Sequence, residues 1–165
     1  VSSWVAVVLA IAVGFGCNPG GTYVEDSRMG GADRGDTNGR SFDFVSSKPD
    51  GDEWTIRIRG SSMWVAFSNE DKSDDLGAFN LTSKELRKIW DLVDNVNLPG
   101  RRQGKLDRDN GSVVMRLREP GAGEDGRHEV YTVYVSRDTD DGDVIDLAGY
   151  LRKIIARHRK EEPNF

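Results

Sequence analysis

Residues 41–68 read SFDFVSSKPDGDEWTIRIRGSSMWVAFS, and this stretch decides the fold class. Phe42 and Phe44 alternate with Ser41 and Asp43. Trp54, Ile56 and Ile58 alternate with Thr55, Arg57 and Arg59, and Met63, Val65 and Phe67 repeat the interval. Period-two alternation turns one side of a strand to a core and the other away from it. The breaks between the runs are turn-forming. In Lys48-Pro49-Asp50-Gly51 the proline presets φ and the glycine supplies a left-handed position, and Gly60-Ser61 reverses the chain again. Strands at Ser41–Ser47, Glu53–Arg59 and Ser62–Ser68 are therefore expected as an antiparallel meander.

Working outward, Asn69–Gly77 (NEDKSDDLG) reads as a charged loop. The helix signal after it is specific. Thr82-Ser83-Lys84-Glu85 has the capping-box pattern, in which each end side chain satisfies the other residue's backbone N–H. Leu86, Ile89, Trp90 and Val93 then recur at i, i+3, i+4 and i+7, an apolar stripe on one helix face. Asn95, Asn97 and Pro99-Gly100 stop it. A polar connector, Arg101–Gly111, ends in Asp109-Asn110-Gly111, a hairpin-type turn. Val113, Met115 and Leu117 mark a fourth strand. An exposed turn over Glu119–Arg127 precedes a fifth, His128–Ser136, rich in β-branched and aromatic residues. A last helix runs from Asp143 to about Arg159, with Val144, Leu147, Ala148, Leu151, Ile154 and Ile155 as its stripe. Asp143 and Asp146 near its start, and Arg152, Lys153, Arg157, Arg159 and Lys160 toward its end, complement the helix dipole. The order βββ-α-ββ-α implies a two-layer α+β domain over residues 41–160, with a mainly antiparallel sheet and both helices on one face. The tail 161–165 (EEPNF) is expected to fray.

Composition narrows the function classes. The 165 residues are 31% charged with a mean hydropathy of -0.58, and 23 Lys+Arg against 28 Asp+Glu leave a net charge of -5. That excludes a bulk polycation, and no nucleic-acid partner is expected. One cysteine, Cys17, excludes an intrachain disulfide and a cysteine-rich zinc site. His128 and His158 are the only histidines. The chain has no G-x-S-x-G, no H-E-x-x-H and no phosphate-cradling glycine loop, so no catalytic residue and no cofactor is assigned. The acidic run Asp138, Asp140, Asp141 and Asp143 lacks the Ca²⁺-loop register around Gly142, as does the cluster Glu70, Asp71, Asp74 and Asp75. No metal ligand is assigned to either.

The N-terminus carries an address. Residues 1–16 hold no charge, and Val5–Phe15 (VAVVLAIAVGF) is an apolar run with the length of a signal-peptide core, too short for a comfortable bilayer span. An upstream Lys or Arg is expected, since the run lacks a basic start and Val1 is not Met. The run closes on Gly14-Phe15-Gly16-Cys17, which resembles the lipobox of bacterial lipoproteins over about the first 20 residues. Gly14 and Phe15 depart from the commoner Leu and small residue of that box. The resemblance implies cleavage between Gly16 and Cys17, acylation of Cys17 and a membrane-anchored, extracytoplasmic protein. Asn18 after the cysteine leans toward the outer membrane by the same analogy. More than one acyl chain anchors firmly because each buried CH₂ contributes about 0.8 kcal/mol. Residues 17–40 then form a tether; six of the 23 residues from Asn18 to Arg40 are glycine and no apolar period survives.

The strands supply one candidate site. With their apolar sides on the helices, Arg57, Arg59, Trp64, Arg116 and Arg118 share the opposite side, joined by Tyr131 or Tyr134. Arginines among aromatics suit carboxylates, phosphates or sugars through bidentate bonds and cation–π contacts. The bland alternative is a solvated face with its arginines paired to Asp43, Glu53 or Glu129. The expected function is a lipid-anchored envelope module that binds an envelope protein or an anionic glycan. A small envelope hydrolase or glycan-active enzyme, and a soluble secreted binding protein cleaved after Ala12, stand as alternatives.

Overall fold

The computed structural model describes residues 39–121 and 128–165. The expected leader 1–16, Cys17 and most of the tether 17–40 lie outside them, as does most of the expected turn at 119–127. The described chain runs β1 (Ser41–Ser47), β2 (Glu53–Arg59), β3 (Ser62–Ser68), β4 (Ser73–Asn80), α1 (Ser83–Val96), a 3-10 turn at Leu98–Gly100, β5 (Ser112–Pro120), β6 (His128–Ser136) and α2 (Gly142–Arg159). The six strands form one antiparallel sheet in the order β4-β3-β2-β1-β5-β6. Both helices cover one face of it, as the α+β reading expects.

Alternation does the sorting. Phe42, Phe44, Ile56, Ile58, Met63, Val65, Met115 and Leu117 point to the helices and are buried against Ile89, Val93, Leu147, Leu151 and Ile154. The capping box forms: Thr82 Oγ1 accepts from the Glu85 N–H at 3.2 Å and Glu85 Oε2 accepts from the Thr82 N–H at 2.9 Å. Asn97 closes α1 in the left-handed region at φ 53°. Asp141 caps α2, its Oδ1 accepting from the N–H groups of Asp143 and Val144. That places Asp143 in the first turn. Asp141 also pairs with Arg101, tying the end of the 3-10 turn to the start of α2.

Two expectations need correction. Asn69–Gly77 is not one loop: Asn69 Oδ1 accepts from the Asp71 and Lys72 N–H groups in a tight turn, and the chain then forms β4 on β3. Its strand pattern is broken by a bulge, since Gly77 pairs with Val65 and Asp75 with Ala66, leaving Leu76 as the extra residue. The tail does not fray. Phe165 packs on Phe44 and Trp54 with ring centroids 5.1 and 6.3 Å away, Trp54 Nε1 donates to Asn164 Oδ1 at 3.2 Å, and Arg152 Nη1 donates to the Phe165 main-chain oxygen at 2.6 Å. Five mostly polar residues with a proline show no period, so their docking, made by the aromatic seat of Phe165 together with these hydrogen bonds, has no local signal in the sequence.

Candidate functional site

The strand registers fix what lies on the sheet face away from the helices. One cross-strand row reads Asn80, Ser62, Arg59, Ser41, Arg118, Val130. The next reads Ala78, Trp64, Arg57, Asp43, Arg116, Thr132. All five residues of the candidate face therefore fall in two adjacent rows, with β2 and β5 supplying two arginines each and β3 supplying Trp64. Tyr134 joins them in a third row beside Val114, whereas Tyr131 points to the helix side and packs on the core. The in-phase alternation of β1, β2, β3 and β5 is what brings these side chains together.

Asp43 is the electrostatic hub. It sits between Arg57 and Arg116 in register and accepts from Arg59 Nη2 at 2.5 Å. Arg59 is only 9% exposed, and its Nη1 also donates to the Ile58 and Phe42 carbonyls at 2.9 and 3.2 Å. This arginine braces the sheet as well as charging its surface. Trp64, 4% exposed, donates its indole N–H to Asp75 Oδ1 at 2.8 Å and carries the Arg57 guanidinium 4.9 Å from its ring centroid. Of the other carboxylates that sequence offered as partners, Glu53 accepts from Ser47 and Thr55, and Glu129 from Tyr131. The two rows hold four arginines and one aspartate, and the rows beside them on the same face add the carboxylates of Asp75 and Glu53.

A second charged cluster was not legible as such. Glu85, besides closing the capping box, is 3% exposed and receives Arg157 Nη1 at 2.7 Å and His158 Nε2 at 3.2 Å from α2. Burial pushes its carboxyl up, but the Thr82 N–H and hydroxyl, then His158 and Arg157, outweigh that and hold it at about 2. His158 also stacks on Phe79, centroids 4.5 Å apart. The sequence marks Glu85 only as a cap residue; its contact with α2 depends on how the helices cross. The cluster clamps the start of α1 to the end of α2, and every group in it is satisfied by another. His128 is exposed at the start of β6. Asp107, also held at about 2, accepts first from Ser136 Oγ and then from the Asn110 and Asp109 N–H groups, which shapes the connector before β5.

Among the described residues no three His, Cys, Asp or Glu side chains are grouped so as to hold a metal ion, and no helix is long and apolar enough to cross a membrane. No family model matches the chain, and no curated protein matches it.

Proposed function

We propose that this chain is a lipid-anchored, extracytoplasmic binding module whose arginine face docks an anionic envelope partner, an acidic protein surface or an anionic glycan. The observation that carries the binding half is the pair of cross-strand rows that gathers Arg57, Arg59, Arg116 and Arg118 on one sheet face. Planar guanidinium groups present paired donors that match carboxylate and phosphate oxygens. The anchoring half rests on the apolar run ending at Cys17 and on the glycine-rich spacer behind it.

Two experiments separate the halves. Wild-type protein should pellet with membranes and Cys17→Ser should not; pelleting by both removes the anchor. Intact mass showing an unmodified Cys17 on a chain beginning at Val13 would replace it with soluble secretion. For the face, heparin and a polyglutamate matrix serve as anionic probes. The double variant Arg57→Glu with Arg116→Glu should lose retention on at least one of them at low salt; equal retention by both proteins removes the face.

A further inference from the structure

The two edges of the sheet are treated differently. At the β4 edge, Leu76 bulges out of the ladder, Asp74 and Asp75 add charge, and Arg159 Nη2 donates to the Ala78 carbonyl at 2.5 Å. A bulge, like charges and a covered carbonyl are the usual means of keeping a strand edge from pairing with another chain. Among the described residues, the β6 edge has one such cover. Tyr134 donates its N–H to the Gln103 carbonyl at 2.7 Å, and Gly104 lies so close to the Tyr134 oxygen that no Cβ would fit.

That contact also fixes the direction of the rest of the strand. In an antiparallel strand, backbone groups point alternately to the two sides. Because Tyr134 points away from β5, so do the N–H and C=O groups of Thr132, Val130 and His128. Among the described residues nothing covers this stretch, and Val130 within it is 56% exposed.

We infer that the outer edge of β6 pairs with β6 of a second copy of this chain, antiparallel, with Val130 on the two-fold axis. The register is self-complementary. Val130 meets Val130, each His128 lies opposite Thr132, and each Glu129 lies opposite Tyr131. No like charges oppose one another, and the exposed valines cover each other. Ladder pairing ends where Gln103 and Gly104 already occupy the edge, so the joint is short and centred on one residue. The sheet continues through it, and a two-fold perpendicular to the sheet keeps both arginine faces on the same side. Val130 shares its row with Arg118, so the row would run Arg118, Val130, Val130, Arg118 across the joint. The two Arg118 positions would then lie about 14 Å apart, three strand spacings.

The test uses the full chain with Cys17→Ser in mild detergent, followed by sedimentation across a concentration series. The expected result is a rise from one to two copies per particle. Val130→Lys places two ammonium groups on the axis, and Thr132→Pro removes an outward N–H that the β6–β5 ladder does not use. Each should keep the wild-type circular dichroism and stay at one copy. Val130→Cys should cross-link to a disulfide dimer under mild oxidation, at least tenfold faster than Leu106→Cys, a more exposed position away from the joint. A wild-type chain that stays single throughout, a folded Val130→Lys that still doubles, or equal cross-linking at the two cysteines would each overturn the inference.

Discussion

The Glu85 carboxylate accepts from Thr82 on its own helix and from Arg157 and His158 on α2, and its folded pKa of about 2 lies below the ordinary 4.5. A lowered carboxyl pKa means that the fold favours the ionised form. This stabilisation is complete above about pH 4.5 and is lost as pH falls toward 2. The displacement corresponds to roughly 3–4 kcal/mol at about 1.4 kcal/mol per pH unit. Urea unfolding at pH 7, 4 and 3 should show this decline, and Glu85→Gln should flatten it while lowering stability at pH 7. A variant whose pH profile matches wild type would remove Glu85 as the titrating group. Arg59 makes a different point. Its alternation with Ile58 is readable in the sequence, so its face is too. Its bonds to the Ile58 and Phe42 carbonyls are not, because they depend on where β1 lies beside β2.

Among the elements, those with an unbroken period were the legible ones. β1 and β2 alternate cleanly, β3 keeps the interval at Met63, Val65 and Phe67 although Trp64 is buried on its other side, and α1 announces itself by a capping box and a stripe. β4 was hidden because Asp74, Asp75 and Gly77 weaken strand propensity and the Leu76 bulge shifts the alternation. Its pairing is supplied by β3, a neighbour that local sequence cannot name. α1 should lose about 1 kcal/mol in Thr82→Ala, read by urea unfolding, since the N-cap bond disappears. α2 offers the opposite sign. Gly149 lies in the helix beside a shallow groove lined by Lys88, Leu92 and Tyr150, and the nearest atom to an added Cβ is Arg152 Nη2 at 4.0 Å. No crowding requires the glycine, so Gly149→Ala should raise stability by roughly 0.5–1 kcal/mol. An unchanged or lowered unfolding midpoint would contradict this.

For the molecule as a whole, the closing residues bind its parts together. Phe165 touches Phe44 on the central strand and Trp54 on β2, and Arg137 and Arg152 donate to the tail's main-chain oxygens. Phe165→Ala should cost roughly 1–3 kcal/mol, less than a fully buried phenylalanine because Phe165 is half-buried, and should shift tryptophan emission to the red as Trp54 meets water. Unaltered emission and stability would mean that the tail is incidental. The strand order has a temporal side as well. β1 is central because β5, which follows more than sixty residues later, pairs along its second side. During vectorial synthesis β1–β4 can assemble early, but β1 stays an open, apolar-faced edge until the chain has passed α1 and delivered β5. Nascent chains halted with residue 110 just outside the ribosomal exit tunnel should therefore be the species that holdase chaperones retain most strongly, with release once residue 120 has also emerged.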